Sequence, residues 1–508
     1  MFPGTYARIT PDKPAIIMAD SGETVTYEQL DTRSQRLARH LYDNGVRRGD
    51  HIAVLADNQA RALEIYWAAM RSGLYITFIN SQLTADEVAY IVNDCGAQTF
   101  VVADRYAPIA GAVVAQTPRV ERKIALGSVD GFADYEAVIA AASSQPLPAQ
   151  PCGTEMLYSS GTTGFPKGIE VPLPDYEVDQ PGDLLTAMFG SMMGMDADSV
   201  YLSPAPVYHS APLRFMAMVH RLGATVVMMR KFDAEQALRL IEQYRVTHSQ
   251  WVPTMFIRML KLDRQVRDSY DVSSLRCAVH AAAPCPVDVK RAMIDWWGPI
   301  LLEYYSSTEA SGATLIDSRD WLQHPGSVGK SMLGTLHICD DDGEDVATGQ
   351  VGTVYFERDV APFEYHNDPE RTAETRHPDH PSWTTSGDVG YVDEDGYLYL
   401  TDRKSFMIIS GGVNIYPQEI ENALALHPAV FDVAVIGVPD EEMGESVVAV
   451  VHPAPEVTAD GELVATLDGF LRERIAHYKV PRRYEFTDDL PRTPTGKLVK
   501  GRLRERYA

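Results

Sequence analysis

Helical and extended patterns alternate along residues 26–247, and this alternation constrains the fold more than any other feature. Brief, largely apolar, β-rich runs are expected for strands with both faces covered, and a crossover between parallel strands is usually a helix. Residues 51–55, 99–102 and 225–229 are runs of this kind. Two intervening helices have marked starts. Thr26 with Gln29, and Thr84 with Glu87, form capping boxes, while Asn44-Gly45 and Gly96 stand where those helices should stop. At 508 residues the chain exceeds a single ordinary core. It reads as a multidomain α/β protein whose large N-terminal domain, residues 1–401, has layered sheets and crossover helices. The strand-like run Tyr397-Leu398-Tyr399-Leu400 ends just before Asp402, where a separate pattern begins. It holds a helix opened by Pro417 and running to Leu426, strands at 433–436 and 447–451, and a helix at 467–476. A small mobile C-terminal α+β domain is expected over 402–508, acting as a lid.

Composition narrows the function. A formal net charge of −25 argues against a nucleic-acid surface and against stable association with an anionic membrane. Cys95, Cys152, Cys277, Cys285 and Cys339 are scattered without the paired spacing of a zinc site and read as reduced, mostly packed residues. No apolar segment approaches the roughly 20 residues that span a bilayer, and no charged start with an apolar run precedes Tyr6. A soluble, cytoplasmic protein is expected, its oligomeric state left open between monomer and homodimer.

Against that acidic background one run is built for polyphosphate: Ser159, Ser160, Gly161, Thr162, Thr163, Gly164, Phe165, Pro166, Lys167 and Gly168. Glycines let backbone N–H groups turn towards an anion, hydroxyls add short donors, and one lysine adds a mobile charge. The order argues against a P-loop, since Lys167 precedes Gly168 and Pro166 removes an N–H inside the loop. Four further segments stand downstream: Tyr305-Ser306-Ser307-Thr308-Glu309, Thr385-Ser386-Gly387-Asp388, Asp402-Arg403-Lys404, and the pair formed by residues 410–417 with Pro494-Thr495-Gly496-Lys497.

Taken together, these segments resemble, in order and spacing, the motifs of the adenylate-forming superfamily of acyl-CoA synthetases, adenylation domains and luciferases. The resemblance covers essentially the whole chain. It implies an AMP-forming acyl-CoA ligase that uses ATP, Mg²⁺ and coenzyme A. Lys497 would reach the carboxylate and the α-phosphate, where a charge matters because two anions must meet; unit charges about 4 Å apart interact by roughly 4 kcal/mol at an effective dielectric of about 20. Glu309 would hold Mg²⁺ and Thr308 would donate to a phosphate oxygen. Asp388 would accept from both ribose hydroxyls, with Arg403 contacting the same ribose or the phosphates. Ala282, Ala283 and Pro284, after His280 and Ala281, would lie against the adenine. Ser306 stands where the family more often has glycine, a departure that could reshape the acyl pocket or the backbone beside the adenylate. Asp402 would be the hinge, and Ser410, Gly411 and Gly412 would line the pantetheine tunnel in a second arrangement of the lid.

The acyl side is less defined. Pro206-Val207-Tyr208-His209-Ser210-Ala211-Pro212 matches the family's gating segment, with His209 as the gate. No aspartate lies between Pro206 and Leu213 to pair with a substrate ammonium, which argues against an amino-acid substrate. Phe215, Trp251, Val252, Ser311 and Gly312 are expected to line the pocket for a hydrophobic acid, whether aromatic or phenylpropanoid, fatty, or a sterol side chain. The acceptor could be CoA or a separate carrier protein.

Overall fold

The computed structural model describes residues 1–159, 166–183, 185–403, 406–411, 413–440, 443–492 and 498–507, with backbone alone at 159 and 403. Both predicted capping boxes form: Thr26 and Gln29 open the helix Tyr27–Asp43, and Thr84 and Glu87 open Ala85–Asp94. The apolar runs become the strands His51–Leu55, Thr99–Ala103 and Thr225–Met228, and nearly all their residues are buried. They belong to two sheets. One is wholly parallel, in the order Ala133–Asp134, Arg122–Leu126, Thr99–Ala103, His51–Leu55, Tyr75–Phe78, Thr154–Glu155.

The other sheet has nine strands. Its parallel centre runs Leu301–Ser306, Cys277–His280, His248–Trp251, Val200–Ser203, Thr225–Met228, Pro14–Met18, with antiparallel strands at both edges. Helices Ala60–Met70 and Ser210–Leu222 lie between the two sheets, and a core with Ile52, Leu63, Trp67, Met216 and Val226 joins them. A second core on the far face of the nine-stranded sheet holds Trp251, Phe256, Met293 and Trp297. A largely antiparallel sheet of 335–339, 352–357, 388–392 and 398–403 follows.

Beyond it, Gly444–Pro453 pairs along almost its whole length with Val430–Asp440. Both strands outrun the apolar centres that announced them, because cross-strand pairing carries polar ends that pattern alone leaves out. The helix expected at 467–476 is Gly461–Arg472. Asp460 starts it earlier by accepting from the backbone of Glu462 and Leu463, each at 3.0 Å. The strand before Asp402 also runs further, Leu398–Arg403, so Asp402 lies within it. Its carboxylate accepts from Gln418 N at 3.2 Å, capping from a distance the helix Pro417–Ala425, whose own N-cap Tyr416 makes no side-chain cap.

Candidate active site at the carboxyl ends of the strands

After Val200–Ser203 the chain forms Thr225–Met228 on one side and then returns to form His248–Trp251 on the other. In an open α/β sheet such a switch of direction leaves a crevice at the carboxyl ends of the strands, where ligands bind. The segments 206–212, 281–284 and 305–309 all leave the sheet at that end. Two of the loops carry non-glycine residues with positive φ, Ala282 at 77° and Ala310 at 53°. Strain of this kind persists where surrounding structure enforces it. Beneath the loops His280 pairs with Glu303, whose carboxylate meets Lys290 Nζ at 2.5 Å, all three essentially buried. Burial pushes the Glu303 carboxyl up and Lys290 partly offsets it. The ion pair anchors the two strand ends from the far face of the sheet.

Tyr305 and Asp388 come together, the phenol donating to Asp388 Oδ2 at 2.7 Å across two sheets. Strand pairing sets Arg403 opposite Asp388. Ser306 closes the following loop by donating to the Gly312 carbonyl at 2.7 Å, so its departure from glycine acts as a staple on the loop carrying Thr308 and Glu309. Ser307 and Ser311 each bury a hydroxyl without a hydrogen-bond partner among the described residues, so a ligand oxygen can complete their bonding. Glu309 Oε1 accepts from the Tyr365 hydroxyl at 2.9 Å. Lys167 Nζ lies 4.9 Å from the centre of the same ring. Burial, followed by Arg371, lowers the lysine's pKa, while Glu309, Asp368 and Glu374 oppose the shift. A carboxylate bonded through one oxygen suits a hard cation such as Mg²⁺, and Glu309 fits that role.

His209 is the N-cap residue of Ser210–Leu222, its ring 4.5 Å from that of Tyr208. Buried Asn58 holds this segment by accepting from Val207 N at 2.7 Å and donating to the carbonyls of Ala205 and Met229. Phe215 stands among the rings of Phe189, Tyr201 and Tyr304, with centroids 5.7, 6.4 and 6.1 Å away. Trp251 and Val252, also expected to line the pocket, belong instead to the second core cluster. Side chains alternate along a strand, so Trp251 packs with Phe256 and Trp297 on the far face and Gln250 faces the rings instead. Gln250 donates to the Tyr304 hydroxyl at 3.2 Å and lies 3.4 Å from that of Tyr201. At Gly312 a Cβ would stand 2.1 Å from the Phe356 ring, so its small size admits that ring. Asn58, Gln250 and Tyr365 escaped sequence reading, although the alternation of the strand could have pointed to Gln250.

Ser410 ends the strand Ile408–Ser410, and Gly411 turns with φ 59° as its N–H donates to Met443 O at 2.8 Å. Ser160, Gly161, Thr162, Thr163, Gly164, Gly412 and Lys497 lie outside the described residues, as do the side chains of Ser159 and Arg403. All five cysteines are free, and among the described residues no group of His, Cys, Asp and Glu is arranged to hold a metal ion on its own. No described helix is long and apolar enough to cross a membrane.

A family model described as AMP-binding enzyme matches residues 5–360, and one described as AMP-binding enzyme C-terminal domain matches residues 419–497. The chain belongs to the AMP-binding enzyme family. Among its relatives, a feruloyl-CoA synthase of Amycolatopsis sp is 35% identical, the match covering 100% of this chain and 98% of the relative. A fatty acid–[acyl-carrier-protein] ligase, ScoC, of Streptomyces coeruleorubidus is 33% identical over 99% of this chain and 95% of its own. Among solved structures, that of the anthranilate CoA ligase AuaEII in complex with anthranoyl-AMP superimposes with a TM-score of 0.85 at 25% identity, covering 99% and 96% of the two chains. This AMP-binding enzyme is an AMP-forming acid–thiol ligase, with the mixed α/β fold of adenylate-forming enzymes.

Proposed function

We propose that the protein activates an aromatic or phenylpropanoid carboxylic acid with ATP and transfers the acyl group to coenzyme A. The observation that carries this reading is the ring cluster of Phe189, Tyr201, Phe215 and Tyr304 with Gln250, on the sheet face beside the crevice that His209 borders. Flat rings pack an aromatic acid, and the amide and phenols suit an oxygen substituent on it. In the first step a carboxylate oxygen attacks the α-phosphorus of ATP and pyrophosphate leaves. Lys497 neutralises the meeting anions, and Lys167 with the 159–168 run holds the departing phosphates. Asp388 accepts from the ribose hydroxyls, beside Tyr305 and Arg403, while 282–284 lie against the adenine. Mg²⁺, held by Glu309 and the phosphates, supplies charge neutralisation when bound. In the second step the thiol of CoA attacks the acyl carbonyl and AMP leaves, with Ser410, Gly411 and Gly412 beside the pantetheine arm. Between the steps residues 402–508 move as a unit about Asp402.

A second reading, transfer to a carrier protein, is favoured by the similarity to the carrier-protein ligase ScoC. Both are tested by mass spectrometry of the protein with ATP, Mg²⁺ and a panel of aromatic, fatty and sterol-derived acids, offered either free CoA or a holo-carrier. Aromatic CoA thioesters are expected. Thioester on the carrier alone would overturn the acceptor, and fatty or sterol products alone would overturn the acid class. Lys497→Ala should cut acyl-adenylate formation at least about a hundredfold while sparing the step from supplied acyl-adenylate to thioester. Equal loss of both steps would contradict the role of Lys497.

A further inference from the structure

The phosphate run and the Tyr305–Glu309 motif lie on different sheets, and one side chain outside every motif touches residues of both. Tyr365 sits on the short strand Glu364–Tyr365, paired antiparallel to Lys167–Glu170 with Ile169 opposite it. Lys167, two residues before Ile169, is its diagonal neighbour on the same face, a separation that aromatic and long side chains bridge. The strand is pinned further by His366 N donating to Gly168 O at 2.8 Å and by Tyr365 N donating to Thr372 Oγ1 at 2.9 Å. From this anchored, 9% exposed position the hydroxyl donates to Glu309 Oε1 at 2.9 Å, and the ring lies 4.9 Å from Lys167 Nζ.

We propose that Tyr365 is a positioning residue for adenylation: its hydroxyl orients the Glu309 carboxylate towards the cation on the ATP phosphates, and its ring holds the Lys167 ammonium beside the same phosphates. The inference rests on the reading above in which Glu309 holds that cation. The two interactions separate chemically. The phenol occupies one carboxylate oxygen, and among the described residues no donor bonds the other. The ring face attracts the ammonium without neutralising it, so the lysine keeps all three of its donors for an incoming oxyanion. Neither contact needs substrate, so both groups are held before ATP arrives.

Equilibrium binding of Mn²⁺ in the presence of ATP, without any acid, tests the carboxylate half, alongside binding of a non-hydrolysable acyl-AMP analogue that requires no metal. Tyr365→Phe should raise the Mn²⁺ concentration for half-saturation about tenfold, as loss of an outer partner of a metal ligand commonly does, and Glu309→Gln should raise it at least as much. Affinity for the analogue should stay within about twofold in both. Unchanged Mn²⁺ binding in Glu309→Gln would overturn the metal role of Glu309 and this inference with it. A shift in Glu309→Gln with none in Tyr365→Phe would overturn the inference alone. Equal weakening of Mn²⁺ and analogue binding in Tyr365→Phe would reduce Tyr365 to packing. Tyr365→Leu, which also removes the ring, should weaken metal-free ATP binding in EDTA roughly threefold beyond Tyr365→Phe, and equal values would overturn the lysine half.

Discussion

The phenol of Tyr305 fills part of one carboxylate oxygen of Asp388 and fixes the rotamer of the group proposed to grip the ribose. An amide in its place keeps the size but offers only one accepting oxygen. Asp388→Asn should therefore raise the KM for ATP by about tenfold or more while leaving the KM for the acid nearly unchanged, as steady-state kinetics with either substrate varied will show. Histidines set the response to acid. Fully buried His220 accepts from Trp67 Nε1 at 3.0 Å and lies 3.1 Å from Ala15 O, so its neutral ring is satisfied at both nitrogens. Burial pushes its pKa down to about 4 from 6.5. The unfolded chain takes up that proton as pH falls through 6.5 while the folded chain resists it until about 4, so the stabilisation is complete above the first value and lost towards the second. Its size is about 3 kcal/mol, from roughly 1.4 kcal/mol per pKa unit. His51, also pushed down to about 4 by burial, adds to the same window. The melting temperature should fall from pH 6.5 to pH 4, and His220→Gln, which cannot titrate, should melt lower at pH 7 but with a shallower pH slope.

At the scale of elements, one strand divides two jobs by its pleat. Gln250 faces the ring cluster on one side of His248–Trp251, and Trp251 belongs to the core on the other. Gln250→Leu should change the ratio of kcat/KM between hydroxylated and plain aromatic acids by about tenfold, because it removes a polar partner from an enclosed site. Trp251→Phe should leave that ratio within about twofold and lower the melting temperature by several degrees, having created a cavity in the core. Competition assays with paired acids and a thermal melt distinguish the two. Local sequence announced elements wherever the local physics was strong. Thr26 and Thr84 start their helices by bonding to their own first turns, and a largely apolar run such as Thr99–Ala103 is buried in a parallel strand. Elements shaped by partners were less legible: the ends of Val430–Asp440 depend on Gly444–Pro453 rather than on their own apolarity.

For the whole molecule, the proposed motion about Asp402 must contend with contacts between the regions on either side. Asp402 sits in the strand Leu398–Arg403 and caps Pro417–Ala425, and Lys261 donates to Val430 O at 2.7 Å. Proline locks φ near −65°, so Asp402→Pro should impair one half-reaction far more than the other. Thioester formation from supplied acyl-adenylate should fall at least about tenfold while pyrophosphate exchange persists, and comparable loss in both would argue against a hinge there. The sequence by itself determined the class of fold, the capped helices and the family, and it marked the segments proposed to meet at the nucleotide, because glycine turns, hydroxyl donors and capping boxes act within a few residues of themselves. Only the tertiary structure decided that Tyr365 meets both Lys167 and Glu309, that Gln250 rather than Trp251 faces Phe215, and that Gly312 makes way for Phe356. Those contacts join residues far apart in the chain, and their partners are chosen by sheet register and by which face of a strand points inward.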